Sequence, residues 1–256
     1  MASASVASSL LDADEPPPVA RVNHKRGAAH KFLLIGDHAG RLIPRALDGL
    51  GVRAADMDRH IAWDIGVRAL GEAMSARLDV PFVHQRYSRL VIDCNRDPAR
   101  ADAMPEVSDG TVIPGNAALT PAQRAARVAA IHTPYQAAIA DALEPDTILI
   151  ALHSFTPRLA NGAPRPWQVG ILHDRGETRY CRAVLAALQA EPGLCVGDNE
   201  PYQMDAIDYS VPRHAYPARP YVEFEVRQDL IADPAGVAEW SERLARILTG
   251  ALASAP

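Results

Sequence analysis

The sequence KFLLIGDHAGRLIP, residues 31–44, joins a short apolar run to a polar segment that contains glycine. The apolar run, residues 32–35, has the length and composition of a buried strand. It ends in Asp37 and His38, and an alanine and a glycine follow. Ligands of open α/β sheets bind outside the carboxyl ends of the strands. A strand that ends in an acid and a histidine therefore predicts a site at the edge of such a sheet.

The same alternation of apolar runs and helical patterns continues along the chain. The candidate strands are residues 31–35, 81–86, 89–93, 147–152, 167–172, 194–196 and 221–226, and the candidate helices are residues 58–78, 121–143, 177–190 and 234–252. The second helix opens with a capping box at residues 120–123, and Pro134 should kink or divide it. Strands that alternate with helices predict an α/β fold in one domain, with a mostly parallel mixed sheet.

Composition narrows the class of protein. The chain has 256 residues, 48% of them hydrophobic, and a formal net charge of −5. This charge offers no basic field for nucleic acid or an anionic membrane, and no apolar run approaches the roughly 20 residues of a spanning helix. We therefore expect no nucleic-acid partner and no membrane association. Three widely spaced cysteines argue for a reducing, cytoplasmic location.

The first residues differ in character from the rest of the chain. Residues 1–29 carry a serine- and alanine-rich start and three consecutive prolines. This composition predicts a disordered N-terminal tail over residues 1–29, followed by one folded domain over residues 30–256.

Polar side chains also end or interrupt other candidate strands. TILIALHS, residues 147–154, ends in His153 and a serine, and YVEFEVR, residues 221–227, carries Glu223 and Glu225 inside an apolar strand. Histidine and carboxylate are the usual ligands of catalytic Zn²⁺, which takes three protein groups and one open position. The two glutamates share a face of their strand and each needs a metal, a cation or a donor. The set suggests metal-assisted hydrolysis. The alternative for the glutamates is a structural salt bridge to Arg227 or another arginine.

The segment YSRLVIDCNRDP, residues 87–98, supplies two arginines that flank a predicted strand. Guanidinium groups at Arg89 and Arg96 suit the capture of a carboxylate or the stabilisation of an oxyanion. Cys94 lies in the same strand, but no sequence feature supplies a base for it. We interpret Cys94 as a packed thiol.

A second polar segment, DRHIAWD, residues 58–64, opens the first predicted helix. Asp58 is placed as an N-cap. His60 and Asp64 are four residues apart on one helical face, so they could serve a metal or each other.

Seven motifs in order resemble the N-formylglutamate amidohydrolase family. They are DHAGRLIP, DRHIAWDIG, YSRLVIDCNRDP, ALHSFTPR, RPWQVGIL, GDNEPY and VEFEVRQDLI, within residues 30–232. The family is related to zinc carboxypeptidases and aspartoacylase, so the resemblance implies a phosphorylase/hydrolase-like three-layer αβα sandwich. It also implies one Zn²⁺ per chain and hydrolysis of a linear amide in a small-molecule N-acyl amino acid, typically N-formyl-L-glutamate to formate and L-glutamate. The family name points to histidine degradation.

The resemblance implies a set of metal ligands. His38 and His153 would be two of them, at strand ends, and the small residues after His38 would let the substrate approach. The related carboxypeptidases take a third ligand, a glutamate, three residues after the first histidine, where this chain has an arginine. His60 is our first candidate for the third ligand, with Asp58 and Asp64 as alternatives.

The resemblance also implies roles around the metal. Glu225 would be the general base and Arg89 the group that stabilises the oxyanion. The candidates for substrate contact are Asn95, Arg96, Asn199 and Tyr202. For the last two, a tight turn is the alternative role.

Two other functions remain open at this point. The first motif reads GDHAG where the family usually has SPHSG, so a related zinc deacylase or carboxypeptidase with another substrate is one alternative. A metal-free protein that only binds carboxylates is the other, because the third ligand of the carboxypeptidases is missing. Oligomeric state is not predicted.

Overall fold

The computed structural model describes residues 10–24, 30–204 and 207–253. Its strands are β1 (Val19–Val22), β2 (Phe32–Gly36), β3 (Phe82–Gln85), β4 (Val107–Ser108), β5 (Thr111–Val112), β6 (Ile148–Phe155), β7 (Val169–Leu172), β8 (Val196–Asp198) and β9 (Tyr221–Arg227). Seven of them form one sheet in the order β1-β3-β2-β6-β9-β7-β8, and β4 and β5 form a separate hairpin. Strands β3, β2, β6 and β9 run parallel, whereas β1 and the β7–β8 pair run antiparallel to them.

Helices cover both faces of the sheet. They are α1 (Ala54–Met57), α2 (Val67–Leu78), α3 (Pro121–Arg127), α4 (Thr133–Ala142), α5 (Arg179–Gln189), α6 (Ser210–Ala215) and α7 (Pro234–Ala251). Alternate residues of β2 point to opposite faces: Leu34 belongs to the buried cluster that contains residues of α2, α5 and α7, and Leu33 belongs to the cluster that contains residues of α4 and α6. The predicted three-layer α/β fold with a mostly parallel mixed sheet is confirmed. Within the described residues, no helix is long and apolar enough to cross a membrane.

Two predicted elements were wrong, and both lie beside the site. Residues 89–93 form turns instead of a strand, because their polar backbone groups bond to other loops, as in the bond from the Asp93 amide to the Ala103 carbonyl (2.7 Å). The helix predicted from residue 58 begins only at Val67. Gly66 before it has a φ of 85°, a left-handed conformation that interrupts a helix.

The long helix predicted over residues 121–143 is divided, as Pro134 led us to expect. Its capping box at Thr120 and Gln123 is present. A five-residue π-helical turn, Val128–His132, then separates α3 from α4. Proline lacks an amide donor and pushes the preceding turn apart, which accounts for the break.

The structure corrects the prediction of a tail over residues 1–29. Val19–Val22 forms the edge strand β1, paired antiparallel with β3. Leu10 and Leu11 pack against the hydrophobic core, and the Tyr87 hydroxyl donates to the Pro16 carbonyl (2.8 Å). These contacts are made to distant parts of the chain, so local composition did not reveal them. Residues 1–9 and 25–29 of the predicted tail lie outside the described residues.

Candidate active site

Three neighbouring parallel strands bring the polar residues of the site together. Asp37 and His38 directly follow β2, His153 lies near the end of β6, and Glu225 lies opposite His153 on β9. The carboxyl ends of these strands meet at one edge of the sheet. Asp64 comes to this edge from the irregular turn before α2, where its amide donates to the His38 carbonyl (2.9 Å).

His38, Asp64 and His153 form a compact buried group. The Asp64 Oδ2 atom lies 3.4 Å from His38 Nδ1 and 3.0 Å from His153 Nδ1. One ligand atom from each residue lies within 4.8 Å of the others, and all three side chains are buried. Two imidazole nitrogens and a carboxylate are a donor set that suits a catalytic zinc ion.

The other ring nitrogen of each histidine faces a second carboxylate. His38 Nε2 lies 2.7 Å from Asp93 Oδ1, and His153 Nε2 lies 3.2 Å from Asp37 Oδ2. Metal-binding histidines commonly donate their second N–H to a carboxylate, which selects the tautomer that exposes the ligand nitrogen. His153 Nε2 makes no hydrogen bond among the described residues and faces Asp37 only as an ion pair, and His38 Nδ1 has no hydrogen-bond partner among them. Because an unpaired buried nitrogen is costly, this atom also fits a metal ligand.

The charges of the group depend on one another. Burial raises the pKa of Asp64, but His38 and His153 beside it lower this pKa below its ordinary value. Burial lowers the pKa of His153, but Asp37 and Asp64 raise it well above its ordinary value. Burial and Arg89 lower the pKa of His38, but Asp93 and Asp64 raise it above its ordinary value. A metal would therefore compete with protons for the histidine nitrogens.

Arg89 lies beside this group and carries a permanent positive charge. Its Nη2 atom lies 2.7 Å from Asp93 Oδ2, and its Nη1 atom lies 3.4 Å from Asp64 Oδ1. Burial lowers the pKa of Arg89, whereas the two aspartates raise it above its ordinary value. A guanidinium has five N–H groups, so these contacts leave donors for a ligand.

His38 and Asp64 line a cavity of about 530 Å³, whereas His153 is not among the described residues of its lining. The lining includes His38, Asp64, Arg89, Arg96, Glu223 and Glu225. One oxygen of each glutamate has no hydrogen-bond partner within the described part of the chain. Burial raises the pKa of Glu225 to about 7, with His153 opposing and Asp64 supporting the rise. A carboxyl of this pKa can exchange a proton near neutral pH. Arg227, the salt-bridge alternative, instead pairs with Asp229 (2.8 Å).

His60, our first candidate for the third ligand, lies outside the group formed by His38, Asp64 and His153. It lines the same cavity, but its Nε2 atom faces Asp109 Oδ2 at 3.5 Å. Asp58 is exposed and pairs with Arg41. Asp64, the other alternative, lies together with the two histidines. The helical spacing used for His60 and Asp64 does not apply, because residues 58–64 are not helical.

Two of the predicted substrate contacts, Asn95 and Arg96, line the cavity. The Asn95 side-chain oxygen accepts bonds from the amides of Tyr209 and Ser210, at 2.9 Å each, so it holds the start of α6. The Arg96 side chain donates to the Asn95 carbonyl (3.0 Å) and lies 3.7 Å from Asp208. Arg96 thus keeps a charge at the cavity wall, whereas Asn95 is engaged within the protein.

The two contacts predicted from GDNEPY differ in position. Tyr202 lines the cavity, and its hydroxyl accepts a bond from Arg165 Nη1 (3.0 Å). Asn199 is not among the described residues that line the cavity. Its φ of 53° and the bond its side-chain oxygen accepts from the His173 amide (2.8 Å) place it in a tight turn. This is the alternative role that we considered for it.

Asp37 and Asp93 had no predicted role, although both directly follow apolar runs. Their position directly after an apolar run is the sequence feature that could have identified them as site residues. The small residues after His38 were predicted to let a substrate approach. A Cβ at Gly40, however, would lie 2.1 Å from the Arg86 carbonyl oxygen. Gly40 is therefore needed for the close approach of two backbone segments.

Comparison with known proteins places this arrangement in a family. The crystal structure of a gene product of Agrobacterium tumefaciens is 34% identical, covers 96% of this chain and 98% of its own, and superposes with a TM-score of 0.87. The structure of N-formylglutamate amidohydrolase from Ralstonia eutropha is 23% identical, covers 94% of this chain and 98% of its own, and has a TM-score of 0.65, which shows a shared fold. No curated protein matches the sequence.

The sequence model of one family, N-formylglutamate amidohydrolase, matches residues 30–232. This range contains every residue of the metal group and the cavity glutamates. The match agrees with the resemblance seen in the seven motifs. The chain belongs to the N-formylglutamate amidohydrolase family, and it is a hydrolase of carbon–nitrogen bonds other than peptide bonds.

Proposed function

We propose that the chain hydrolyses the amide of an N-acyl amino acid, with N-formyl-L-glutamate as substrate and formate and L-glutamate as products. One zinc ion per chain would be held by His38, Asp64 and His153. The observation that carries the proposal is the buried His–Asp–His group, two of whose members, His38 and Asp64, line a cavity together with Glu225. The family match supports this reaction type.

The proposed metal site has a defined chemical purpose. When bound, the ion would supply Lewis acidity, which polarises an amide carbonyl and makes water more acidic. Asp93 and Asp37 would keep the ring protons of the two histidines on Nε2, so that both Nδ1 atoms face Asp64.

Glu225 is the proposed general base and then the general acid. Its strand places it opposite His153, and it lines the cavity. With a pKa of about 7, its carboxylate can take a proton from the attacking water and return that proton to the leaving nitrogen. A buried carboxyl of ordinary pKa would be a weaker base at the same pH.

Arg89 and Arg96 are the proposed anion-binding groups. Arg89 is held by Asp93 and Asp64, so its remaining donors are preorganised for the oxyanion that develops on the carbonyl. Arg96 would bind a carboxylate of the substrate, with Tyr202 at the same cavity wall. Guanidinium groups bind carboxylates with charge-assisted hydrogen bonds.

The test combines metal analysis with product release. Purified protein is analysed by plasma mass spectrometry, and formate release from N-formyl-L-glutamate is measured before and after chelation. About one zinc per chain with chelator-sensitive release is the expected result. Zinc without release would replace the formyl substrate by another amide, to be sought with N-acetyl amino acids and peptides. Absence of zinc after resupply, together with no release, would refute the proposal. A role in histidine degradation follows only if N-formyl-L-glutamate is the substrate.

A further inference from the structure

An ion pair between His153 and Asp37, continued by three hydrogen bonds, leads from His153 away from the cavity and into the helical layer. His153 Nε2 lies 3.2 Å from Asp37 Oδ2, and Ser210 Oγ bonds to the other oxygen of Asp37. Gln136 Nε2 lies 3.1 Å from Ser210 Oγ, and His214 Nε2 lies 2.7 Å from Gln136 Oε1. The line therefore joins β6, the end of β2, α6 and α4.

The direction of these bonds is determined by a backbone carbonyl. Gln136 Nε2 also lies 2.9 Å from the carbonyl oxygen of Cys94. A carbonyl oxygen only accepts, so the NH₂ group of Gln136 must face Cys94 and Ser210. The amide oxygen then faces His214, whose Nε2 atom must donate.

The Ser210 hydroxyl connects Gln136 to Asp37. Its side chain is fully buried, and its amide is held by the Asn95 side chain at 2.9 Å. The Ser210 oxygen accepts a bond from Gln136, and its single proton goes to Asp37 Oδ1, which is closer than the other acceptor, the Cys94 carbonyl at 3.4 Å. The second oxygen of Asp37 is then left to face His153 Nε2.

We propose that Ser210 and Gln136 are positioning residues of the metal centre: they hold the Asp37 carboxylate so that His153 keeps its ring proton on Nε2 and presents Nδ1 to the metal. This inference rests on the proposed metal site. Neither residue is among the described residues that line the cavity. They act through Asp37 and His153 and touch no substrate.

The expected effect is on metal affinity. Loss of a partner that touches a metal ligand typically costs about 10- to 100-fold in affinity, and we expect about 3- to 10-fold for these more distant residues. Ser210→Ala removes the donor to Asp37, and Gln136→Met removes the donor to Ser210 while keeping the length of the side chain. The dissociation constant for zinc is measured for the full chain by competition with a chromogenic chelator. At saturating zinc, KM should stay at the wild-type value.

Ser241→Ala is the matched control. Ser241 is also a buried helical serine, but its hydroxyl donates within α7 to the Ala238 carbonyl (3.0 Å). Zinc affinity should be unchanged in this variant. Ser210→Thr keeps a hydroxyl and should recover affinity relative to Ser210→Ala.

Each outcome decides the inference. Weaker zinc binding in Ser210→Ala and Gln136→Met, with wild-type binding in the control, supports it. Wild-type zinc affinity in either folded variant overturns it. If Ser210→Ala does not fold, Gln136→Met decides alone. A wild-type chain that binds no zinc would refute the metal centre itself, so the two failures are distinct.

Discussion

Replacing Glu225 by glutamine removes a charge from the cavity and keeps the shape of the side chain. Glu225 is buried, and one of its carboxyl oxygens has no hydrogen-bond partner among the described residues. The substitution therefore breaks little that holds the fold together. If Glu225 is the general base, turnover should fall by about 10²- to 10⁴-fold.

The same substitution should make the metal-free protein more stable at alkaline pH. Burial raises the pKa of Glu225 from 4.5 to about 7. Between these values the folded chain holds a proton that the unfolded chain has lost, so wild-type stability falls as the pH rises through this window. Glutamine does not ionise, so the stability of the variant does not fall in this way. The difference between the two pKa values corresponds to about 3 kcal/mol in favour of the variant above pH 7, and to none below pH 4.5.

The assay measures both quantities on one preparation. Formate release is followed with zinc present, and urea unfolding is followed with chelator at pH 4.5 and pH 8. Chelator is needed because a cation beside Glu225 would favour its charged form. The matched control is Glu223→Gln, a buried glutamate on the same face that lies opposite Ala151 instead of His153.

The expected control result separates burial from catalysis. Burial raises the pKa of Glu223 as well, so Glu223→Gln should also stabilise the protein at pH 8. Its turnover should stay within about 10-fold of wild type, below the usual effect of losing a general base. Wild-type turnover in Glu225→Gln would remove Glu225 from the mechanism. A Glu225→Gln protein less stable than wild type at pH 8 would refute the electrostatic argument.

Three further predictions concern a proposed metal ligand, the proposed oxyanion-binding arginine and a buried structural arginine. His153→Ala should lose both stoichiometric zinc and turnover, and zinc retained at one per chain by mass spectrometry would reject its role as a ligand. Arg89→Lys should lower kcat by about 10²-fold with little change in KM, since it removes donors from the oxyanion; a change in KM alone would point to ground-state binding. Arg127→Met should lower the free energy of unfolding in urea by about 3 kcal/mol, because the buried Arg127 guanidinium bonds the carbonyls of Val91 and Gly115 and the Asn116 side chain; an unchanged urea midpoint would contradict this.

Much of the fold was predictable from local pattern. The apolar runs that became β2, β6 and β9 and the helical periodicity of α7 were recognised because each element buries a face that its own sequence marks. The polar residues that end these strands were recognised for the same reason, since a histidine directly after a buried strand stands out against its neighbours.

The turns beside the site were not predictable in this way. Residues 58–66 look like the start of a helix, but Gly66 is left-handed and the Asp64 amide bonds to the distant His38 carbonyl. Asn95 looked like a substrate contact, but its oxygen holds the start of α6, more than a hundred residues away in sequence. Bonds between segments so far apart leave no periodic signal.

By itself, the sequence determined the α/β architecture, the sheet edge where the site lies and the two histidines that meet there. These depend on burial patterns a few residues long, which the chain carries locally. Only the tertiary structure decided that Asp64, and not His60, lies beside the two histidines. It also decided that Asp93 and Asp37 contact the Nε2 atoms of their rings. Those choices depend on distances between loops, which are settled when the strands pack side by side and bring the loops to one edge.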